Sequence, residues 1–540
     1  MTLTIIIFII YFLIILLIGY ITGKKKKETA DDYFLSGRKL PWYAIGLSMI
    51  AANVSSEHFI GVVGAAYLFG VAPGNWDLLA VIPLCLYIFF FLPYYFRSKI
   101  YTIPQFLEKR YNRTTRTIFA SLTIVHSVIA ILAGALYTGG LLFQDLFSSA
   151  GVAATASGEI STSLIWGILI IGISTGAYCI YGGLDSVVWT DVFQVIVLLT
   201  AGVLVTVVAL DKAGGWDNVV AINNAASAER MHLVKPATNT LAPWTGIITL
   251  WLTLGVWYNC TNQFYIQQTL GAKSEWDARM GIVLTAFLKG VLAFMFVMPA
   301  MIAFALFGPG LQQDKVFIKL VHETLPPWVQ SIVITGLVAA IMSTVSSVLN
   351  SVSTIFTIDI YQRYFKKDAS QEQLIRTGRW VVTIVLILAM IWAPFVLLLG
   401  QGLFVYIQDL ASFFAPPISV IFLAAIFWRR ATAAAANSTL IFGFVFGIML
   451  RFFGQGLSPY LVPFLNRALV GWIISFLIMV IVSLITKPKI EKMYDLDISW
   501  RPSYAKLPPE EIKKYKGWKN YLLWLGLVII IRIVIYFIYA

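Results

Sequence analysis

Charged residues are scarce in this chain: Asp, Glu, Lys and Arg make up 12% of its 540 residues, whereas 59% are apolar. A soluble domain usually carries about 25% charged residues, because its surface must face water. The mean hydropathy is correspondingly high, at +0.82. The scarcity of charge excludes an ordinary soluble protein and indicates a chain that lies in a lipid bilayer.

Cysteines and enzyme motifs are also rare. The three cysteines, Cys85, Cys179 and Cys260, form no C-x-x-C pair, so the sequence predicts neither a disulfide framework nor a zinc site. It contains no H-E-x-x-H motif and no phosphate-binding G-x-x-x-x-G-K-[ST]. Isolated acid–base candidates such as Glu57 and His58 remain, but the missing motifs favour a protein that is not an enzyme. Without a phosphate-binding motif, any uphill work would have to draw on an ion gradient and not on ATP.

Apolar stretches recur along the whole chain. A membrane-spanning helix needs about 20 apolar residues, and the first stretch, residues 4–21, holds no charge. Its basic residues follow the apolar run, which is the reverse of a signal peptide. Hydropathy predicts an all-α polytopic membrane protein with about fourteen transmembrane helices, at about 4–22, 40–69, 77–97, 117–146, 161–180, 187–210, 243–270, 280–308, 326–361, 376–398, 401–428, 433–453, 467–486 and 519–539.

Basic residues cluster in alternate connections between these spans. The positive-inside rule assigns such connections to the cytoplasm, which predicts a multi-pass protein of a bacterial-type cell membrane with its N-terminus outside. The net charge of +13 then reflects orientation and predicts no nucleic-acid partner. The basic connections are Lys24–Lys27, 97–116, 363–379, 429–430 and 487–519.

Two predicted spans are interrupted by small and polar residues. Residues 51–58 read AANVSSEH, and the span at 243–270 carries Gly255, Asn259 and Asn262. Backbone can leave helical geometry at membrane depth only where it lines a cavity enclosed by protein. The interruptions lie five helices apart, which is typical of two inverted repeats that each open with a broken helix. We therefore expect a binding site between them.

Residues around the first interruption also resemble a known family. Residues 51–61 and 181–191 are similar to two signature segments of the sodium:solute symporter family, and further similarity runs through 101–104, 349–351, 357–361, 406–408 and 416–417. The resemblance covers about 30–430 and is closest to the sodium/glucose branch. It implies a LeuT-type fold with two inverted five-helix repeats, alternating access and Na+ as the coupling ion.

With that fold, the chain divides into five parts. We expect an N-terminal helix with a basic cytoplasmic loop, a first inverted repeat, an external loop, a second inverted repeat and C-terminal accessory helices. Their predicted boundaries are 1–36, 37–210, 211–242, 243–430 and 431–540.

The resemblance implies a sodium site where the first broken helix meets a later core helix. The matching positions are Ala51 and Val54, whose carbonyls unwinding would free, together with Ala340, Ser343 and Thr344. Sodium is a hard cation that prefers such oxygen ligands. Ser and Thr in membrane helices also commonly bond a carbonyl one turn back or pack between helices.

Asp191 is an acidic residue inside a predicted span, where a carboxylate is costly and is by default a functional candidate. The resemblance links this position to cation coupling or to an internal polar network. Three interpretations stay open: a second sodium site, a proton site, or a brace for the fold.

The resemblance also implies a solute site. Sugar hydroxyls both donate and accept hydrogen bonds, so a good site mixes donors, acceptors and an aromatic ring. Each candidate also has a purely structural interpretation, as a cap, an ion-pair partner or a packing residue. The predicted solute-binding residues are His58, Asn75, Tyr258, Lys289 and Gln408, with Asn53, Trp76, Asp77 and Gly255 as further candidates.

Two positions depart from the sugar carriers. Asn75 stands where they place a glutamate before a tryptophan, and Asp77 is close enough in sequence to replace that carboxylate. Gly255 stands where they place an amide or hydroxyl side chain, and it is expected to leave extra volume. Both departures predict a pose or a solute that differs from glucose or galactose.

We therefore expect a secondary active symporter that imports a small polar solute, a sugar or polyol, with sodium. The alternatives are a non-hexose solute such as inositol, sialic acid, an organic acid or a nucleoside, and a membrane sensor that binds sodium and solute. The only sizeable tail between spans, at 487–519, is too short for a typical signalling domain. The predicted partners are sodium, the solute and the lipid bilayer, and the sequence indicates no obligate protein partner.

Overall fold

The computed structural model describes residues 2–24, 28–55, 57–147, 160–399, 403–489 and 501–539. Within these ranges the chain forms helices, turns and loops, and no β-strand. Some predicted features lie outside the described residues: Lys25–Lys27 of the first basic cluster, Ser56 of the first interruption, the start of the span at 401–428, and 490–500 of the last basic connection.

In the described part of the first half of the chain we number nine helices in chain order and leave isolated 3-10 turns unnumbered. They are α1 Thr2–Gly23, α2 Ala30–Phe34, α3 Trp42–Asn53, α4 Glu57–Phe69, α5 Ala72–Arg97, α6 Ile103–Arg110, α7 Arg113–Gln144, α8 Thr162–Lys212 and α9 Trp216–Ala226.

The second half follows the same style of long apolar helices joined by short connections. Its elements are α10 at 247–261, α11 Gln263–Leu270, α12 Glu275–Phe307, α13 Val316–Thr324, α14 Pro327–Phe365, α15 Gln371–Val396, α16 Phe404–Phe427, α17 Ala433–Leu457, α18 Phe464–Ile485, α19 Pro509–Lys514 and α20 Tyr521–Tyr539.

Eleven of the described helices are long and apolar enough to cross a membrane. The predicted spans at 40–69 and 243–270 are not among them, because each is broken into shorter helices. The predicted spans at 161–180 and 187–210 join in α8, which has 51 residues. The expected number of about fourteen crossings is therefore not confirmed, and the boundaries of the repeats stay predictions.

The helix α8 changes direction at Gly183, which has φ +60° and ψ −149°. Only glycine adopts this conformation without steric strain. A Cβ atom there would also lie 2.4 Å from the carbonyl oxygen of Tyr33. The signature segment at 181–191 thus contains the bend between the two halves of α8.

Both predicted interruptions are confirmed as breaks between helices. After α3, Val54 is extended, with φ −79° and ψ 110°, and α4 begins with a π-helical segment at Glu57. After α10, Asn262 has almost the same conformation, with φ −83° and ψ 116°. Each break frees backbone carbonyls at the end of the preceding helix. The most buried of the eleven apolar helices, α14, packs beside the first break.

Candidate solute and cation site

A cavity lies between the two helix breaks. It contains about 1050 Å³ of space not filled by protein atoms, part of which is open solvent at its mouth, and concave sites between helices are where small molecules commonly bind. Both breaks contribute to its wall, together with α5, α7, α12, α14 and α16. Its polar and charged lining residues are Asn53, Ser55, Glu57, His58, Asp77, His126, Tyr258, Asn259, Lys289, Thr344 and Gln408.

Lys289 connects four parts of this wall. Its Nζ donates to Oδ1 of Asp77 at 2.9 Å and to Oδ1 of Asn53 at 2.6 Å, and Nδ2 of Asn53 donates to the Tyr258 hydroxyl at 2.9 Å. Lys289 and Asp77 are 4% and 5% exposed, so each needs the other's charge at membrane depth. The structure brings together Lys289, Tyr258, Asn53 and Asp77, as the sequence predicts.

A second polar group occupies the same cavity beside α16. Nε2 of Gln408 donates to Oε1 of Glu57 at 2.8 Å. Nε2 of His58 lies 3.9 Å from Oδ2 of Asp77, while its Nδ1 accepts from the backbone N–H of Ser55 at 3.4 Å. His58 therefore bonds the backbone of the first break with Nδ1 and faces Asp77 in the cavity with Nε2.

Asn75 is placed differently from the other predicted solute residues. Its Nδ2 donates to the carbonyl of Leu233 at 2.8 Å, and its Oδ1 accepts from the Tyr536 hydroxyl. It is not among the residues that line the cavity. Two residues of helix turn the side chain by about 200°, so Asp77 faces the cavity where Asn75 faces away.

Trp76 and Gly255 both line the cavity. The Trp76 ring packs edge-on against Phe404, with ring centroids 5.3 Å apart. A Cβ atom on Gly255 would lie 2.5 Å from the carbonyl oxygen of Leu250 and 2.9 Å from Cγ of Pro83. The expected extra volume at Gly255 is therefore wrong, because backbone and a proline ring already fill it.

Two of the predicted sodium ligands, Val54 and Thr344, meet at the first break. The Thr344 hydroxyl lies 3.4 Å from the carbonyl oxygen of Val54 and 3.5 Å from that of Ala52. Ala51 and Ala340, which lie on the same two helices, are both buried. A hydroxyl from α14 and carbonyls freed by the break of α3 thus share one small polar space, which has the oxygen ligands that sodium prefers.

Ser343 turns to a neighbouring group built around Asp191, which is completely buried. Asp191 accepts from the hydroxyls of Ser48 and Ser343 at 2.6 Å each, and from that of Ser347 at 3.4 Å. Within the described residues these hydroxyls are its hydrogen-bond partners. We call Asp191 with Ser48, Ser343 and Ser347 the aspartate–serine group.

Sequence reasoning identified Asp191 but not two of its partners. Ser347 follows Ser343 by one helical turn, so the i, i+4 spacing places both hydroxyls on one face of α14; this signal was available. Ser48 lies 143 positions from Asp191, and no local pattern indicates that contact.

Two further cavity residues carry no clear sequence signal. Glu57 was considered only as an acid–base candidate, yet it lies beside Gln408. His126 lines the cavity from α7 and packs edge-on against Trp257 and Phe414. Its Nε2 is buried without a hydrogen-bond partner among the described residues.

A string that matches the hydrolase pattern G-x-S-x-G occurs at 172–176. It lies inside α8, where Gly172 and Gly176 pack against side chains of α15. In hydrolases this pattern forms a sharp turn between a strand and a helix. The string is therefore part of a helix contact and not a nucleophile elbow.

Comparison with known proteins matches this architecture. The sequence model of the sodium:solute symporter family matches residues 33–443. The sodium/glucose cotransporter of Vibrio parahaemolyticus is 33% identical over 510 residues, which cover 89% of this chain and 90% of that protein. Sodium/glucose cotransporter 1 of Oryctolagus cuniculus is 29% identical, over 89% of this chain and 78% of that protein. The sodium/myo-inositol cotransporter of Homo sapiens is also 29% identical, over 83% of this chain and 66% of that protein.

Two solved structures show the same fold. A Na+-coupled sialic acid symporter in a substrate-bound outward-open state has a TM-score of 0.77 at 22% identity, covering 90% of this chain and 98% of that one. Mhp1, a nucleobase-cation-symport-1 family transporter, has a TM-score of 0.56 at 14% identity, covering 87% and 98%. The predicted LeuT-type fold is thereby confirmed.

Proposed function

We propose that this chain, which belongs to the sodium:solute symporter family, imports a small neutral polyhydroxylated solute together with sodium by alternating access. The observation that carries the proposal is the cavity between the two helix breaks. It joins donors and acceptors from both breaks and lies directly beside the oxygen-rich space at Thr344.

The hydrogen-bonding groups of the cavity suit hydroxyls. Lys289 only donates, ionised carboxylates only accept, and amides such as Asn53 and Gln408 do both. Hydroxyl groups can meet all three kinds of partner. Tyr258, whose hydroxyl bonds Asn53, offers an aromatic face at the second break. A sugar or a cyclic polyol fits this combination.

The charges of the cavity favour a neutral solute over an anionic one. Among the described residues that line it, Lys289 is the single Lys or Arg, and it is paired with Asp77 at 2.9 Å. Glu57 adds a second carboxylate. An organic acid or sialic acid would have to displace an existing partner of Lys289, whereas relatives named for glucose and myo-inositol act on neutral polyols.

Sodium is proposed to bind at Ala51, Val54, Ala340, Ser343 and Thr344, and a second cation at Asp191. Sodium at the break stabilises the conformation that admits solute, and solute in turn strengthens sodium binding, because the coupling is reciprocal. An inside-negative potential adds about 2.3 kcal/mol per charge per 100 mV.

We also propose that the N-terminus lies outside, because the basic connections would then face the cytoplasm.

Uptake into proteoliposomes tests the proposal. An imposed inward sodium gradient is expected to drive accumulation of labelled D-glucose, D-galactose or myo-inositol but not of succinate. An equal potassium gradient is expected to drive no accumulation. The variant Ser343→Ala with Thr344→Ala should lose the sodium dependence. Thr335→Ala is the matched control, because Thr335 is a buried hydroxyl of the same helix that bonds its own helix at Ser331. Sodium-independent uptake, or accumulation of succinate alone, would contradict the proposal.

A further inference from the structure

The last helix, α20, reaches the back of the solute cavity through Arg532. This side chain is 5% exposed, and Nη2 donates to the carbonyl of Ala286 in α12 at 2.6 Å. A Cβ atom on Gly290 would lie 1.8 Å from Nη1 of Arg532. Only glycine at this position lets the guanidinium lie against α12, directly beside Lys289.

The position of Arg532 matters because a buried guanidinium at membrane depth requires a counter-charge. Lys289, the neighbour of Gly290 in α12, is itself paired with Asp77. Arg532 lies against the turn of α12 that carries Lys289. The Lys289–Asp77 pair inside the cavity therefore has a second cation behind it, on the outer side of α12.

Arg532 also adds a positive charge next to the cavity. The described lining contains two carboxyl groups, Glu57 and Asp77, and one ammonium group, Lys289. A positive charge on the outer side of α12 stabilises the carboxylate that pairs with Lys289, because opposite charges attract more strongly in a region of low dielectric.

Two further contacts fix α20 at this place. The Tyr536 hydroxyl, one helical turn after Arg532, donates to Asn75, and the backbone N–H of Leu233 donates to the carbonyl of Tyr539 at 2.7 Å. Asn75 and Asp77 belong to the same helical turn of α5. The helix α20 therefore contacts this turn through Tyr536 on the face that points away from the cavity, while Arg532 contacts the neighbouring helix α12.

We propose that Arg532 is a positioning residue of the solute site, which keeps Asp77 and Lys289 paired in the arrangement that the solute meets, and that α20 thereby sets solute affinity. The inference rests on the proposed function, because it concerns binding in that cavity. It assigns a role in transport to a helix outside the two predicted repeats.

Transport kinetics of the full chain in proteoliposomes test this role. With labelled D-glucose or myo-inositol, Arg532→Gln is expected to raise the solute KM about tenfold, while the sodium concentration for half-maximal uptake changes less than about twofold. Arg532→Lys, which keeps the charge, should restore most of the affinity. Val528→Ala is the matched control, because Val528 is a buried residue one turn earlier in α20.

A second variant separates positioning from packing. In an Asp77→Asn background, Arg532→Gln should raise KM no further, because the charge that it balances is gone. An additive effect, or a KM for Arg532→Gln equal to that of Val528→Ala, would overturn the proposal. If the wild-type chain takes up neither probe, the proposed function fails instead. Thermal unfolding then decides on Arg532, since Arg532→Gln should lower Tm in the wild-type background and lower it less in an Asp77→Asn background.

Discussion

Two buried carboxylates in this protein have opposite surroundings. Asp77 pairs with Lys289 at 2.9 Å and lies near His58, so the protein itself supplies its positive charge. Asp191 meets the hydroxyls of Ser48 and Ser343 at 2.6 Å each. Hydroxyls can donate to a carboxylate but cannot neutralise its charge.

The difference separates two roles for a charge inside the membrane. A carboxylate that is permanently paired can shape a site for a neutral solute, because its field is already balanced. A carboxylate surrounded by hydroxyls keeps its attraction for a mobile cation. Among the described residues the two carboxylates share no hydrogen-bond partner, so we expect mutations to affect solute and sodium separately.

The largest effect is expected when the paired carboxylate loses its lysine. Lys289→Gln leaves Asp77 buried beside a neutral side chain, at a cost of about 3–5 kcal/mol. Solute transport, measured as Vmax/KM at saturating sodium, should fall about 100-fold or more. Lys319→Gln is the control, since Lys319 is an exposed lysine paired with Glu323. An unchanged solute KM in the Lys289→Gln variant would show that the Lys289–Asp77 pair does not shape the solute site.

A smaller and different effect is expected at the other carboxylate. Asp191→Asn keeps hydrogen bonding to the serines but removes the charge. The sodium concentration for half-maximal uptake should rise about tenfold, equivalent to about 1.4 kcal/mol, with little change of the solute KM at saturating sodium. Asp77→Asn should show the reverse pattern. If both variants changed the solute KM alone, Asp191 would be a brace for the fold and not a cation site.

The aspartate–serine group can be resolved further by comparing two serines. Ser48 donates to Asp191 at 2.6 Å and Ser347 at 3.4 Å. A good hydrogen bond to a charged group contributes about 1.5–3 kcal/mol, and the longer contact contributes less. Ser48→Ala should therefore lower Tm in sodium-free buffer more than Ser347→Ala does, as measured by thermal unfolding. Equal shifts would show that the distances do not rank these contacts.

The fold and part of the site could be predicted because their signals are local. Runs of about 20 apolar residues indicate spans, and small polar residues inside a span indicate a break. Both breaks lie where the sequence placed them, at Val54 and Asn262. The spans at 161–180 and 187–210 were predicted as two helices, and the kink at Gly183, with φ +60°, divides α8 at the place where the prediction separated them.

The pairing of the polar side chains could not be predicted, because it depends on contacts between distant parts of the chain. Asn53 lies 236 positions from Lys289, and Tyr536 lies 461 positions from Asn75. The resemblance predicted Asn75 as a solute-binding residue. Side chains two residues apart on a helix point about 200° apart, so Asp77 faces the cavity and Asn75 does not. Asn75 is bonded instead by Tyr536 of α20, a helix that no repeat pattern includes.

The smallest effect is expected at Asn75, and it separates the two faces of that turn. Asn75→Ala leaves the Leu233 carbonyl and the Tyr536 hydroxyl without this partner, which costs about 1–3 kcal/mol. Tm should therefore fall by a few degrees, while the solute KM changes less than about twofold because the side chain lies outside the cavity. Asp77→Ala provides the contrast, with a large rise of KM from the inner face. If Asn75→Ala raised the solute KM as much as Asp77→Ala does, both faces of the turn would belong to the solute site, and the charge of Asp77 would not be what distinguishes it.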